Sequence, residues 1–283
     1  MCIRDSIYSI NETPEVVHGS QDAAGTGDYY WLTTPDGILA SGTDAAHPSS
    51  VGQFGGREPA SRSEFMDAME ALYTTRAMRR VKPDPIPDEV QKKILDAAIR
   101  APSGGNSQGW RFLLVDDPEV KGKLGPVYRG CMDTLWNTVY KERIDAAEAN
   151  PDEPESVSTL KMVRSATHLA DSFESYPLFL FGFCQFYNSG GSIWPAIWNA
   201  CLAARTEGVG SAVTSVFFFQ IEEMKKILGV PDDTWHFAAC VSFGYPTGRW
   251  GVAPRIPVHE VSFRNSWDGD LGFEIPEPMF SLD

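Results

Sequence analysis

One change of character, at Ser63, constrains this chain more than any other feature of it. Residues 1–62 are rich in Gly, Ser, Thr, Asp and Pro, with little pattern beyond Tyr29-Tyr30-Trp31-Leu32 and Gly37-Ile38-Leu39. Such a stretch buries too little apolar surface to offset its chain entropy. It predicts an extended or disordered extension carrying at most one hairpin, around Pro35-Asp36-Gly37. The opening MCIRDS resembles a translated library adaptor, which makes Met66 a candidate start.

From residue 63 to 283 helical patterns alternate with short apolar runs. A helix opens at Ser63-Glu64-Phe65-Met66, with Phe65, Met69 and Leu72 on one face. A second follows Pro87-Asp88. There Val90, Ile94, Leu95 and Ala98 recur at helical spacing, and Asp88 and Glu89 favour the positive N-terminal end. Ala101-Pro102-Ser103-Gly104-Gly105 stops it, and residues 111–115 read as a strand. Residues 119–175 look mostly helical, interrupted by an acidic, Pro-containing loop at 150–155. Residues 178–184 form the next strand, and 193–207 a helix with Ile193, Ile197, Cys201 and Ala204 in register. Gly208 and Gly210 break that helix. Residues 211–219 read as strand, 221–228 as a short helix and 237–243 as a last strand. The tail after Pro254 has little pattern and suits wrapping another surface. No repeat is visible, and the elements mix without regular βαβ spacing. The reading is one α+β domain over 63–283.

Composition narrows the function. Hydrophobic residues make up 42% of the 283, enough to fill a core. The formal net charge of -14 argues against a nucleic-acid partner, which needs a basic footprint. No apolar run reaches the length of a membrane-spanning helix, so no membrane partner is expected. The five cysteines are odd in number and lack CxxC spacing, which argues against a disulfide framework or structural zinc. Free thiols and the lack of a signal pattern point to the cytoplasm. None of the five histidines forms a metal motif such as HExxH, and no GxSxG elbow is present.

Four motifs remain. Thr74-Thr75-Arg76-Ala77-Met78-Arg79-Arg80 sets three arginines within five residues of an acidic protein. Their planar forks match phosphate or carboxylate oxygens; a solvated basic helix end is the plain alternative. Ala101-Pro102-Ser103-Gly104-Gly105-Asn106-Ser107-Gln108-Gly109-Trp110 joins small residues to two amides. Those amides can read a heterocycle edge of alternating donors and acceptors, although a simple helix-to-strand turn would use similar residues. Gly208-Val209-Gly210-Ser211-Ala212-Val213-Thr214 suits close packing against a ring. Gly244-Tyr245-Pro246-Thr247-Gly248-Arg249 leads to Arg255, held between prolines and able to meet a phosphate. With no acid–base or nucleophilic machinery in view, arginines, amides and glycine turns suggest that a bound cofactor does the chemistry.

These motifs, in this order, resemble the FMN-dependent nitroreductase family over about residues 65–263. TTRAMRRVKPDPIPDEV is similar to its opening arginine segment. APSGGNSQGWRF is similar to its A-P-S-x-x-N-x-Q-P-W-x-F element, and GYPTGRWGVAPRIPVHEV to its closing element. The resemblance implies a mostly antiparallel central sheet flanked by helices, in an entwined homodimer with FMN at the subunit interface. It implies that Arg76, Ala77 and Arg79 line the flavin's phosphate, ribityl chain or pyrimidine edge. Pro102, Ser103 and Asn106 would come from the partner chain, supported by Gln108. Val213 and Thr214 would lie along the isoalloxazine, and Arg255 would bind phosphate. Ala77 lacks the family's hydroxyl, Val81 replaces an aromatic and Gly109 a proline. The implied activity is ping-pong: NAD(P)H reduces the flavin, then a nitroaromatic, quinone or other electron-poor small molecule takes the electrons. Reductive dehalogenation, flavin fragmentation and non-catalytic flavin binding are the alternatives. Trp136, Tyr140, Phe173, Tyr187 and Trp194 are candidates for a lid over the ring, or for packing of the core or interface.

Overall fold

The structure is a computed structural model that describes residues 15–18, 30–34, 37–38, 66–185, 190–231 and 234–282. The chain divides into two compact units, Met1–Pro59 and Ala60–Asp283. In the first, β1 (Glu15–His18), β2 (Tyr30–Thr34) and β3 (Gly37–Ile38) form an antiparallel sheet in that order. The β2–β3 pair is the expected hairpin, and β1 adds a strand that composition did not suggest.

The second unit is built on a four-stranded sheet of order β4-β5-β7-β6. Its strands are β4 (Trp110–Val115), β5 (Leu178–Cys184), β6 (Gly210–Thr214) and β7 (His236–Gly244), and each adjacent pair is antiparallel. Strand β5 explains the layering. Its side chains alternate between leucine and phenylalanine, so each face receives one kind. Leu178, Leu180 and Cys184 pack with α2 (Asp88–Ala98) and α6 (Ile193–Thr206), against Ile94, Ala98, Ile197, Ala200 and Ala204. Phe179, Phe181 and Phe183 point the other way. There they join Phe173, Phe217 and Phe237, with the Phe173 and Phe179 rings stacked 4.2 Å apart. All seven β5 residues are buried, the pattern of a strand covered on both faces.

The aromatic layer is closed by α3 (Pro118–Asn137), which buries Leu124, Val127, Tyr128, Cys131, Met132 and Leu135. Asp117 caps α3 by accepting from the Val120 amide at 2.9 Å, and Pro118 occupies its first turn. Two further helices, α4 (Lys141–Ala149) and α5 (Pro154–Asp171), form a hairpin, with Arg143 Nε donating to Thr159 Oγ1 at 3.0 Å. The acidic loop expected at 150–155 is shorter than its charges suggested, because Pro154 starts α5.

Two expectations are corrected. The run 211–219 is not one strand: β6 ends at Thr214, and Val216–Gln220 forms a 3-10 turn that buries Val216 and Phe217. A short turn places consecutive aromatics in one layer, whereas a strand would have split them between faces. In α1 (Ala68–Thr74) the apolar face read from Met69 and Leu72 is exposed, at 43% and 49%. Ala71 and Thr74 are the residues α1 buries. Phe65 lies outside the described residues.

Candidate functional site: an arginine ribbon and a strained amide loop

After α1, residues 76–82 lie extended across the ends of β6 and β7. The Met78 amide donates to the Ser211 carbonyl at 2.9 Å, and the Lys82 amide to the Tyr245 carbonyl at 2.8 Å. Thr247 donates to the Arg80 carbonyl through its amide, at 3.0 Å, and through its hydroxyl, at 3.3 Å. The Tyr176 hydroxyl donates to the Arg79 carbonyl. Burial pushes that phenol up to about 12, against the pull of Arg79 and Arg80, so it stays a protonated donor at neutral pH.

The glycines of the third and fourth motifs make this approach possible. A Cβ on Gly210 would sit 2.8 Å from Met78 Cβ, and one on Gly244 would sit 2.6 Å from Val81 Cγ2. The small residues read as room for a ring are therefore occupied, at these two positions, by the chain's own arginine ribbon. Val81, where an aromatic was the family's habit, is the residue that fills the space over Gly244.

Along the ribbon the arginines keep donors available. Exposed Arg76 gives one bond, from Nη2 to the Arg249 carbonyl at 3.0 Å. Half-buried Arg79 reaches Ser165 Oγ on α5 at 3.5 Å. Exposed Ala77 bridges Ser211 through its backbone. Away from the ribbon, in the tail after β7, exposed Arg255 donates to the adjoining Pro254 carbonyl at 2.8 Å. Among the described residues none of Arg76, Arg79, Arg80 and Arg255 is paired with a carboxylate. In a chain of net charge -14, cations held beside a sheet without acidic partners make this ribbon the candidate site for an anion.

Thr214 stands on the same side as Arg79. Its Oγ1 accepts from the Val216 amide at 3.3 Å and lies 3.5 Å from the Tyr128 hydroxyl. Tyr128 is 3% exposed, and burial pushes its phenol well above its ordinary range. Val213 differs. Strand alternation turns its side chain to the opposite face, where it packs against the α2–α6 core. Only its backbone is left to meet a ligand beside Thr214.

Pro102, Ser103, Asn106 and Gln108 are not brought to this place. They lie in the loop between α2 and β4, where Gly105, Asn106 and Gln108 have positive φ of 56°, 52° and 49°. Left-handed backbone at Asn and Gln costs about 1 kcal/mol each and persists only where neighbours impose it. Here Ser103 Oγ accepts from the Gln108 amide at 2.8 Å, and Gln108 Nε2 donates to Asn106 Oδ1 at 3.1 Å. Ser192 Oγ, just before α6, accepts from the Gly104 amide at 3.2 Å. Asn106 and Gln108 remain exposed.

The sheet register separates loop and ribbon. Trp110 pairs with Cys184, which pairs with His236, at one end of the sheet and on its β4 edge. Ser211 pairs with Phe243, which pairs with Leu178, at the other end and on the β6 edge. The offset is about 20 Å along the strands and about 14 Å across them. Side chains cannot bridge it, so the loop and the ribbon lie at diagonal corners of the sheet.

Among the lid candidates, Phe173 is fully buried in the aromatic layer and is no lid. Trp136 and Tyr140 meet edge-on, with centroids 5.6 Å apart. Trp194 is 45% exposed on α6, and Tyr187 lies outside the described residues. Sequence reading missed Tyr128, Tyr176 and Ser165, which no local motif marks; α3 brings Tyr128 to Thr214, α5 brings Ser165 to Arg79, and Tyr176 reaches the Arg79 carbonyl from the turn before β5. Thr247 and Arg249 sat inside the fourth motif, and their contacts were there to be sought. Among the described residues no group of His, Cys, Asp or Glu could hold a metal ion, and no helix is long and apolar enough to cross a membrane.

A mixed helical and antiparallel-sheet domain of this topology defines the class of protein. The chain belongs to the nitroreductase family, whose model matches residues 72–245. It is 28% identical over 204 residues to a NADH dehydrogenase of Thermus thermophilus, covering 69% of this chain and 95% of that protein. It is 30% identical over 197 residues to a 5,6-dimethylbenzimidazole synthase of Rhodospirillum rubrum, covering 64% and 83%. Among solved structures, oxidised iodotyrosine deiodinase bound to FMN and 3-iodo-L-tyrosine superposes with a TM-score of 0.53 at 26% identity. That match covers 66% of this chain and 93% of the other.

Proposed function

We propose that this chain is an FMN-dependent oxidoreductase that takes electrons from NAD(P)H and passes them to a nitroaromatic, quinone or other electron-poor small molecule. The observation that carries the reading is the ribbon of carboxylate-free arginines, held rigidly by the sheet edge in an otherwise acidic protein. The donor set fits FMN. Arg76, Arg79 and Arg255 would hold its phosphate and pyrimidine edge, and Thr214 and the Val213 backbone would flank the ring. When bound, FMN supplies the acceptance and release of electrons. The protein's part is to bind and orient it, and a positive guanidinium near the pyrimidine edge favours the ring when it carries negative charge.

The second half of the site comes from a second copy of the chain. Pro102, Ser103, Asn106 and Gln108 form a preorganised polar loop too far from their own ribbon, and a symmetric dimer brings each loop to the other chain's ribbon. Two further features favour this. The outer side of β4 is a sheet edge. The tail also exposes Ile256, Val261, Trp267 and Met279, which suit burial against another chain.

The deciding test is absorbance of the purified protein, followed by NADPH or NADH under nitrogen. Bound flavin whose visible bands bleach on addition is the expected result. No flavin after reconstitution with FMN would contradict the cofactor assignment, and bound flavin that neither nucleotide bleaches would contradict the electron donor. The likeness to iodotyrosine deiodinase favours one second reading, reductive dehalogenation at the same site. Turnover of 3-iodotyrosine with a chemical reductant, exceeding that of quinones, would favour it.

A further inference from the structure

The two arms that carry the candidate phosphate arginines are joined by a buried residue that none of the four motifs contains. Arg205, in the last turn of α6, is 4% exposed. Its Nε donates to Thr74 Oγ1 at 2.9 Å, and its Nη2 meets Glu70 Oε1 at 2.8 Å, both on α1. Its guanidinium lies 4.1 Å from the ring centroid of Trp250. Thr74 is two residues before Arg76, and Trp250 follows Arg249, whose carbonyl accepts from Arg76. The contacts therefore close a circuit: Arg205 to Thr74, along the chain to Arg76, across to Arg249, on to Trp250 and back to Arg205. Arg255 leaves this circuit five residues after Trp250. A guanidinium suits the post because it is planar, can stack on an indole and can donate in two directions at once. A lysine ammonium cannot do all three.

We infer that Arg205 is a positioning residue for the flavin site: it fixes the arm bearing Arg76 and Arg79 against the arm leading to Arg255. It touches no ligand itself and acts through Arg76 and Trp250. The inference rests on the flavin reading for its ligand, but not for its geometry.

The test uses the full chain, stripped of flavin, with Arg205→Lys, Trp250→Leu and a distant core control, Ile94→Val. FMN affinity, melting temperature and amide hydrogen exchange over residues 76–82 are measured for each. Arg205→Lys and Trp250→Leu should each weaken FMN about tenfold, the scale of one lost charge-assisted contact. They should also speed exchange at Met78 and Lys82. The core control should lower melting temperature without moving affinity more than about twofold. In the Arg76→Ala background, where the circuit is already open, Arg205→Lys should weaken affinity by a smaller factor than it does alone. Trp250→Leu removes only the stacked ring, so it carries the test if Arg205→Lys folds poorly. Unchanged affinity and exchange in a folded variant, or effects of Arg205→Lys and Arg76→Ala that simply add, would overturn the inference. If the unaltered chain binds no FMN, the flavin reading fails at that first step, and exchange at 76–82 still decides whether Arg205 positions the ribbon.

Discussion

Arg79 shows how a residue's surroundings can keep its charge open to a ligand. Its carbonyl is held by Tyr176 and its side chain reaches a serine and not a carboxylate, so its charge stays available. Arg79→Ala should weaken FMN binding about 10- to 150-fold, the range for one lost charge-assisted bond. Titration of the flavin-free protein checks this, and a change under threefold would count against the assignment. The cysteines behave oppositely. Burial pushes Cys131 and Cys201 from 9.0 to about 11. Below pH 9 both folded and unfolded chains hold these protons, so stability is flat. As pH rises from 9 through about 11 the unfolded chain releases them first, and each thiol then lowers stability by about 1.4 kcal/mol per pH unit. Urea midpoints should hold from pH 7 to 8.5 and drop above 9; a midpoint already falling at pH 8 would contradict the buried, inert reading.

At the scale of elements, the glycines of two motifs are there for the ribbon. Gly244→Ala would place a methyl against backbone-anchored Val81 and push residues 78–82 off the sheet. Overpacking of this kind costs about 1–3 kcal/mol. The expected outcome is a lowered melting temperature together with at least tenfold weaker FMN, read by calorimetry and flavin titration; full affinity would show that the ribbon is not the site. The elements also show what the sequence makes legible. Strand β5 is legible to the residue because seven apolar residues between Pro177 and Gln185 admit little else, and α2 and α6 because their apolar spacing matches a buried helical face. The aromatic turn after Thr214 reads as strand, since Val-Phe-Phe-Phe fits strand propensity and only the Tyr128 and Phe173 layer decides otherwise. Met69 and Leu72 read as core because periodicity reports an apolar face, not what covers it.

For the whole molecule, the ribbon and the amide loop are both visible as local chemistry, but their relation is not. Motif order says nothing of distance. The pairing order β4-β5-β7-β6 puts the two motifs at opposite corners of the sheet, and the proposal of a site shared between two chains rests on that separation. Tyr128, Tyr176 and Arg205 lie in no motif, because their contacts depend on segments distant in the chain meeting β6, the ribbon and α1.

The split site is best tested by complementation. One variant carries Arg76→Ala and Arg79→Ala, and a second carries Ser103→Ala and Asn106→Ala; each alone should bind little FMN. Unfolding is not needed to mix them, only subunit exchange at equal concentrations followed by flavin titration. If each site takes its ribbon from one chain and its loop from the other, random pairing makes half the dimers mixed, each with one intact site. About a quarter of the unaltered protein's flavin capacity should then return. No recovery after demonstrated exchange would mean that each chain builds its site alone, and would contradict the shared flavin site.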